Sequence, residues 1–188
     1  MNELKAYLNK IIHFTNEEME LFIAPFSEKH LEKNDYFATE GEYASKLGFK
    51  SSGIVRAFYR NNQGNEYNKT FFSKKGFIAA YSSLVSHQKN QINLQCLTGC
   101  TFFIADFSEI KKLYDTHPKI ERLARILAEQ FFVSKEKREI ELVMLDATER
   151  YKIFQSEHQH LENLIPQYHI ASYLGITPTQ LSRIRAKK

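Results

Sequence analysis

The amino-acid sequence predicts an α+β chain made of an antiparallel β-roll or jelly roll, one long helix and a C-terminal helix-turn-helix. Residues 28–105 alternate short runs of Phe, Tyr, Ile, Val and Thr with turn residues, at a spacing that suits about eight strands. After Pro118, apolar residues recur at helical spacing over about 27 residues. From Pro166 onward, two short helical patterns meet at Gly175, which is typical of a helix-turn-helix.

The composition is that of an ordinary globular protein. The 188 residues are 43% hydrophobic and 26% charged, which does not indicate disorder. No apolar run approaches the roughly 20 residues needed to cross a membrane. The first ten residues also lack the apolar core of a signal peptide. We therefore expect a cytoplasmic protein with no membrane partner.

Two helical segments are predicted before the roll. Apolar residues from Leu4 to Ile12 stand at helical spacing, and Thr15 precedes an acidic Asn-Glu-Glu turn that favours a second helix. Within the roll, residues 54–59 and 65–72 flank an Asn-Asn-Gln-Gly sequence, which predicts a hairpin.

Both cysteines lie in one predicted strand. Cys96 and Cys100 are four residues apart, and two thiols are too few for a disulfide framework or a four-thiolate cluster. We expect reduced, buried thiols that pack as small hydrophobic groups, with a redox role as the alternative. No cofactor is expected.

The long helix, predicted over residues 118–145, is expected to be a dimerisation helix. It would be about 40 Å long, which exceeds what one small roll can cover. We expect its remaining apolar surface to pair with a second copy of the chain, giving a homodimer with a coiled-coil-like seam. Packing of the helix against its own roll is the alternative. The helix separates the roll, residues 1–117, from the helix-turn-helix domain, residues 146–188.

The terminal segment has the spacing of a helix-turn-helix. Its apolar positions are Ile170, Ala171, Leu174, Leu181 and Ile184. Gly175 supplies the turn, Thr177 is placed to cap the second helix, and Pro178 suits its first position.

Positive charge is concentrated at this end. From Ala171 onward there is no Asp or Glu, while Arg183, Arg185, Lys187 and Lys188 account for the net charge of +4 of the whole chain. A basic helix after a tight turn suits the major groove of DNA. A surface element with a solvated basic tail is the alternative.

The order of these elements resembles the Crp/Fnr family of bacterial transcription regulators, over essentially the whole chain. The strongest local similarity lies in residues 170–177, Ile-Ala-Ser-Tyr-Leu-Gly-Ile-Thr, in Leu181-Ser182-Arg183, and in Glu149-Arg150-Tyr151. The resemblance implies a cyclic-nucleotide-binding-like roll that senses a signal, and a homodimer that binds two-fold symmetric double-stranded DNA. An unknown small-molecule effector and RNA polymerase are further partners that it implies.

The resemblance also assigns the DNA contacts. Arg183 stands where the family reads a guanine, and Thr179 replaces the family's glutamate, which alters or relaxes base preference at that step. We expect Gln180 to read a second base and Ser182, Arg185 and Lys187 to contact phosphates. The predicted DNA-binding residues are Thr177, Thr179, Gln180, Ser182, Arg183, Arg185 and Lys187. Residues 155–165 are too short and too helical to contain the family's β-hairpin wing.

The family's cyclic-nucleotide cassette is not retained. Phe77-Ile78-Ala79-Ala80 replaces the turn whose Glu holds the ribose, and Asn90-Gln91 replaces the Arg that holds the phosphate. A neutral Asn cannot replace a bidentate Arg, so we predict no binding of cyclic AMP. Either the roll holds another small molecule or it is a structural scaffold. The candidate pocket residues are Phe71, Phe72, Phe77, Ala79, Ala80, Tyr81, Asn90 and Gln91.

The sequence also lacks the residues with which iron-binding variants of the family hold an iron-sulfur cluster or a haem. No cysteine precedes Cys96, so the N-terminal thiolates of an iron-sulfur cluster are missing. Within residues 28–105, His87 is the one histidine after His30, and a lone histidine is a weak haem ligand candidate.

Two other classes of protein are alternatives to this resemblance. A metal-dependent enzyme would need several histidines and a glutamate on facing strands, whereas His158-Gln159-His160 falls in a polar segment between helices that we expect to be solvated. We therefore predict no enzyme. A small-molecule or protein-interaction module with a degenerate DNA-binding domain is the other alternative.

Overall fold

A computed structural model describes residues 1–159 and 161–186, and it confirms the α+β organisation. Two helices open the chain, α1 (Asn2–Leu8) and α2 (Asn16–Ile23). The Thr15 hydroxyl and the Glu18 carboxylate form a capping box, because each accepts a hydrogen bond from the other residue's backbone N–H. The predicted start of α2 is therefore confirmed.

Eight strands form the roll, as the spacing of apolar runs predicts. They are β1 (Ser27–Leu31), β2 (Tyr36–Ala38), β3 (Lys46–Ser52), β4 (Val55–Arg60), β5 (Glu66–Phe72), β6 (Gly76–Ile78), β7 (Asn93–Cys96) and β8 (Cys100–Asp106). One antiparallel sheet has the order β1-β8-β3-β6 and the other has the order β2-β7-β4-β5. The predicted hairpin is the β4–β5 pair, and β5 lies at the edge of its sheet.

Alternate residues of β8 serve two different cores, because successive side chains of a strand point to opposite faces. Cys100 and Phe102 are buried between the two sheets. Phe103 and Ala105 face a second cluster with α1, α2 and the start of the long helix. The roll is therefore filled inside, and the N-terminal helices cover the outer face of the β1-β8-β3-β6 sheet.

The other helices follow β6, with α3 between β6 and β7 and the rest after β8. These helices are α3 (Tyr81–Ser86), α4 (Phe107–Lys112), α5 (Pro118–Met144), α6 (Ala147–Glu157), a 3-10 turn (Leu161–Asn163), α7 (Gln167–Leu174) and α8 (Pro178–Ala186). Asp146 ends the long-helix segment and caps α6 in a second capping box with Glu149. In the part of the chain that is described, no helix is both long and apolar enough to span a bilayer.

The long helix α5 has two different halves. Ile120 and Leu123 at its beginning are buried in the cluster that covers the roll. Its second half extends beyond this cluster and exposes large apolar side chains. These are Phe131, Phe132, Val133, Ile140, Leu142, Val143 and Met144.

Candidate nucleic-acid interface

The turn between α7 and α8 is built by Gly175. Its φ of +70° is left-handed, a conformation that glycine adopts at little cost. The N–H of Ile176 donates to the carbonyl of Ala171 at 3.0 Å, and the N–H of Gly175 donates to that of Ser172 at 3.2 Å. These two bonds are those of a Schellman motif, so α7 ends where the sequence predicts.

The second helix starts with a reciprocal cap. Thr177 Oγ1 accepts from the N–H of Gln180 at 3.2 Å, and Gln180 Oε1 accepts from the N–H of Thr177 at 2.9 Å. The predicted cap at Thr177 is present. Bidentate reading of an adenine uses both the oxygen and the nitrogen of a glutamine amide, so Gln180 would have to leave this cap to read one.

The polar face of α8 is exposed. Leu181 is buried and anchors the helix, while Thr179 and Arg183, four residues apart, share a solvent-facing side. The described residues among the predicted DNA contacts are all exposed: Thr177, Thr179, Gln180, Ser182, Arg183 and Arg185. The guanidinium of Arg185 also lies near the phenol of Tyr151 on α6. Lys187, a predicted phosphate contact, lies outside the described residues.

The helix-turn-helix is docked on its own roll, along the edge strand β5. The backbone N–H of Asn68 donates to Ser172 Oγ at 3.0 Å, and the Ser172 hydroxyl donates to the carbonyl of Glu66 at 2.8 Å. An edge strand exposes unpaired backbone groups, and here one α7 side chain satisfies a donor and an acceptor of β5. Ser172 thus replaces part of a missing neighbouring strand.

A buried polar network extends this contact. Arg56 on β4 is buried and donates to Glu66 Oε2 at 2.6 Å, to Gln95 Oε1 at 2.7 and 2.9 Å, and to His169 Nδ1 at 3.1 Å. Asn68 adds a bond from its side-chain amide to the carbonyl of His169 at 3.2 Å. The network therefore joins both strands of the hairpin to α7.

An aromatic cluster completes the contact between the roll and the helix-turn-helix. The ring of Phe71 on β5 lies 5.4 Å from that of Tyr173 and 6.2 Å from that of Phe154. Arg138 of α5 stacks over Tyr173 at 3.9 Å and donates to its carbonyl. Strand, long helix and helix-turn-helix therefore meet at Tyr173.

The prediction that the polar segment after α6 is solvated is wrong for His158. Its ring packs 5.2 Å from Phe154 and 6.0 Å from Tyr173, and its Nδ1 lies 3.2 Å from Ser73 Oγ. Burial lowers the pKa of His158. Its ring contacts and its hydrogen bond to Ser73 give this residue a packing role. His160 lies outside the described residues.

The candidate pocket residues are not gathered around one space. Phe71 and Phe72 point to opposite faces of β5, Phe71 toward the helix-turn-helix and Phe72 toward the roll interior. Phe77 packs outside the roll with Tyr7 and Phe49. Ala80 is buried, whereas Ala79 is half-buried and Tyr81 and Gln91 are exposed.

The side chain of Asn90, which we expected to line the ligand pocket, instead forms hydrogen bonds with the backbone of the roll. Its side chain donates to the carbonyl of Thr39 at 3.1 Å and accepts from the N–H of Ile92 at 3.1 Å. A cleft of about 270 Å³ opens elsewhere on the roll. It is lined by Pro25, Ser27, Lys29, Leu31, Tyr36, Phe37, Lys46, Ile104, Ala105 and Asp106, so it contains none of the candidate pocket residues.

The sequence patterns did not predict the polar contact between the roll and α7. The residues that form it are Arg56, Asn68, His169 and Ser172. One feature of the sequence did single out Arg56. It is a charged residue within an otherwise apolar strand whose residues do not alternate between polar and apolar. Residues 55–58 are all buried, which shows that both faces of β4 are covered. The covering element, α7, is more than a hundred positions away in the chain, so local patterns could not name it.

No family model matches the sequence, and no curated protein is similar to it. Among solved structures, FixK2 of Bradyrhizobium japonicum superposes with a TM-score of 0.76 and 17% identity, covering 86% of this chain and 83% of that one. The c-di-GMP responsive global regulator CLP of Xanthomonas campestris gives 0.72 and 16%, covering 90% and 89%. A crp/fnr-family transcriptional regulator of Eubacterium rectale gives 0.74 and 13%, covering 93% and 83%. The chain therefore has the fold of the Crp/Fnr regulators, with a cyclic-nucleotide-binding-like roll, a long helix and a helix-turn-helix.

Proposed function

We propose that this protein is a DNA-binding transcriptional regulator of the Crp/Fnr type, and not an enzyme. The observation that carries the proposal is the exposed face of α8, which presents Thr179 and Arg183 on a capped helix without a single acidic residue from Ala171 onward. Such a helix can enter the major groove, where Arg183 pairs with a guanine and Arg185 contacts phosphate. The fold shared with known regulators supports this assignment.

The regulator acts as a homodimer through α5. Phe132 and Val143 are 65% and 82% exposed, and their separation of eleven residues places them on one side of the helix, three turns apart. Exposed apolar surface on this scale marks an interaction site. A second copy of the same helix covers it with matching side chains and gives the two-fold symmetry that palindromic DNA requires.

The signal that controls the regulator is not cyclic AMP in this proposal. Neither Ala80 nor Asn90 provides the charge or the bidentate donor that a buried cyclic phosphate needs. The docking of α7 on β5 supports a direct route from roll to helix-turn-helix, because a shift of the β4–β5 hairpin must break or move the bonds to Ser172 and His169.

The test is selection of random duplex DNA by the purified protein at physiological salt, followed by sequencing of the enriched pool. We expect a palindrome whose half-sites lie about one helical turn apart. Retention on heparin should fall steeply as salt rises, since counterions compete for the same cations. Failure to bind either polymer would contradict the proposal and favour a module that binds a protein or small molecule.

A further inference from the structure

We propose that Thr179 reads a thymine, through contact between its side-chain methyl group and the C5-methyl group of the base. Gln180 reads no base in this arrangement and instead holds the start of α8 in its capped form. This role of Thr179 rests on the proposed DNA-binding function, and it names a base that α8 prefers beside the guanine of Arg183.

The positions of the side chains around α8 separate a face that can enter a groove from a packed side. Leu181 is buried, and Ile184 packs against the same apolar cluster. At 3.6 residues per turn, Thr179 and Arg183 each lie about 160° from Leu181 around the helix axis. These two exposed residues therefore point away from the core of the helix-turn-helix and form the outermost part of the exposed face.

Gln180 lies on a different side of the helix. By the same geometry it is about 40° from Ile184, so it borders the packed side although its side chain is exposed. Its Oε1 accepts from the N–H of Thr177 at 2.9 Å, and its own N–H donates to Thr177 Oγ1 at 3.2 Å. These two bonds form a capping box, which satisfies two backbone donors at the start of α8.

The capping box leaves Gln180 a contact of another kind. Because its side-chain oxygen is held by the N–H of Thr177, the group that Gln180 offers to DNA is its side-chain nitrogen. A glutamine nitrogen on the flank of a recognition helix can donate to a phosphate. Gln180 therefore contributes affinity without selecting a base.

Thr179 stands where a short side chain can reach a base. The N-terminal residues of a recognition helix contact base edges in the major groove. Thr179 is the second residue of α8, directly after Pro178. Arg183 follows one turn later, farther from the helix start, and reaches the bases with a longer side chain.

The chemistry of threonine points to thymine. Thymine is the base that presents a methyl group in the major groove, and apolar groups such as the threonine methyl contact it. The threonine hydroxyl both donates and accepts hydrogen bonds, so it fits several base edges and selects none of them strongly. The methyl group is therefore the part of Thr179 that discriminates.

The two contacts differ in strength. Burying one methyl-sized group changes affinity by about fourfold per half-site. A bidentate arginine–guanine pair discriminates by about five- to 150-fold. Arg183 therefore sets the principal base, and Thr179 adds a weaker preference. Four residues of helix span about 6 Å and one base pair about 3.4 Å, so the thymine lies within about two base pairs of the guanine.

The experiment uses the palindrome that the full-length protein selects from random duplex DNA. Each thymine of the half-site is replaced in turn by uracil, which lacks the C5-methyl group and keeps the same hydrogen-bonding edge. We expect one thymine, within about two base pairs of the guanine, at which uracil weakens wild-type binding by about fourfold per half-site. Competition assays at fixed salt measure the difference.

A matched pair of variants separates the methyl group of Thr179 from its hydroxyl. Thr179→Val keeps a methyl group and loses the hydroxyl, whereas Thr179→Ser keeps the hydroxyl and loses the methyl group. Thr179→Val should still prefer thymine to uracil, and Thr179→Ser should bind both sites equally. The reverse result would overturn the methyl contact. Because Thr179 is exposed, both variants should fold, which circular dichroism checks.

Gln180→Ala tests the capping role. It should weaken binding to all sequences alike and leave the selected bases unchanged, and a changed base would overturn this assignment. A selected palindrome that shows no difference between thymine and uracil would overturn the role of Thr179 and leave the proposed function standing. Selection that enriches no sequence would count against the proposed function itself, and the role of Thr179 would fall with it.

Discussion

Arg56 of the roll donates a hydrogen bond to Nδ1 of His169 in the helix-turn-helix across 3.1 Å. A guanidinium has no acceptor, so Nδ1 must accept, and we infer a neutral imidazole that carries its proton on Nε2. Burial, followed by the charge of Arg56, lowers the pKa of His169 to about 4 from 6.5. The contact between the two parts of the chain therefore depends on a histidine that is kept uncharged.

Acid should loosen this contact. His169 binds a proton near its usual pKa of 6.5 in the unfolded chain and only near 4 in the folded protein. Its contribution to the free energy of unfolding is therefore fully present above about pH 6.5 and is lost as the pH falls from there toward 4. Between pH 7 and pH 5 the free energy of unfolding should fall by about 2 kcal/mol from this residue. Urea unfolding at several pH values measures the effect.

His169→Asn is the matched control for the acid effect, because its side-chain oxygen can accept from Arg56 and does not titrate. The variant keeps His158, whose pKa burial also lowers, so the difference between the two proteins isolates His169. Equal pH slopes for both would contradict the assignment.

Ser172→Ala should destabilise the protein more than its exposure suggests. The change leaves the N–H of Asn68 and the carbonyl of Glu66 without their partner at a part-buried site. We expect the free energy of unfolding to fall by about 1–3 kcal/mol. The exposed Ser182, changed to Ala in parallel, should alter stability by less than about 0.5 kcal/mol. A similar loss in both variants would mean that the hydroxyl of Ser172 adds nothing to docking.

Arg183→Ala should weaken binding to the selected DNA by about 1–3 kcal/mol and relax selection at one base of each half-site. Competition assays with single-base variants of the site measure both effects. Arg122→Ala removes another exposed arginine, on α5, and should leave affinity nearly unchanged. If Arg183→Ala weakened binding to all sequences alike, Arg183 would be a phosphate contact.

Val143→Glu should convert the dimer into a monomer. The side chain is 82% exposed in one protomer, so the charge costs nothing there, whereas in the seam it would be buried against apolar groups. Sedimentation equilibrium should show a dissociation constant raised by at least about tenfold. Val85→Glu, at an exposed valine of α3, is the control and should remain dimeric. A dimeric Val143→Glu protein would place the interface elsewhere.

The candidate ligand pocket shows where sequence patterns stop being informative. Phe72 and Phe77 are five residues apart, yet Phe72 faces the roll interior and Phe77 packs under the N-terminal helices. The face to which a strand residue points depends on the register of each pairing, and a short loop between strands resets it. The sequence therefore groups these aromatic residues as apolar without showing that they belong to separate cores.

Local chemistry was enough to determine most of the elements and the ends of several helices. The prediction that Cys96 and Cys100 lie in one strand is wrong, because β7 ends at Cys96 and β8 begins at Cys100 after a short connection. Gly175 can adopt a left-handed turn, Thr177 and Asp146 can cap helices, and the period of apolar residues separates strands from helices, because each of these depends on neighbours within a few positions. The tertiary structure alone decided that Ser172 docks on β5 and that His169 pairs with Arg56. These contacts join residues far apart in the chain, and only the folded packing of the roll, which buries polar groups that must then find partners, selects them.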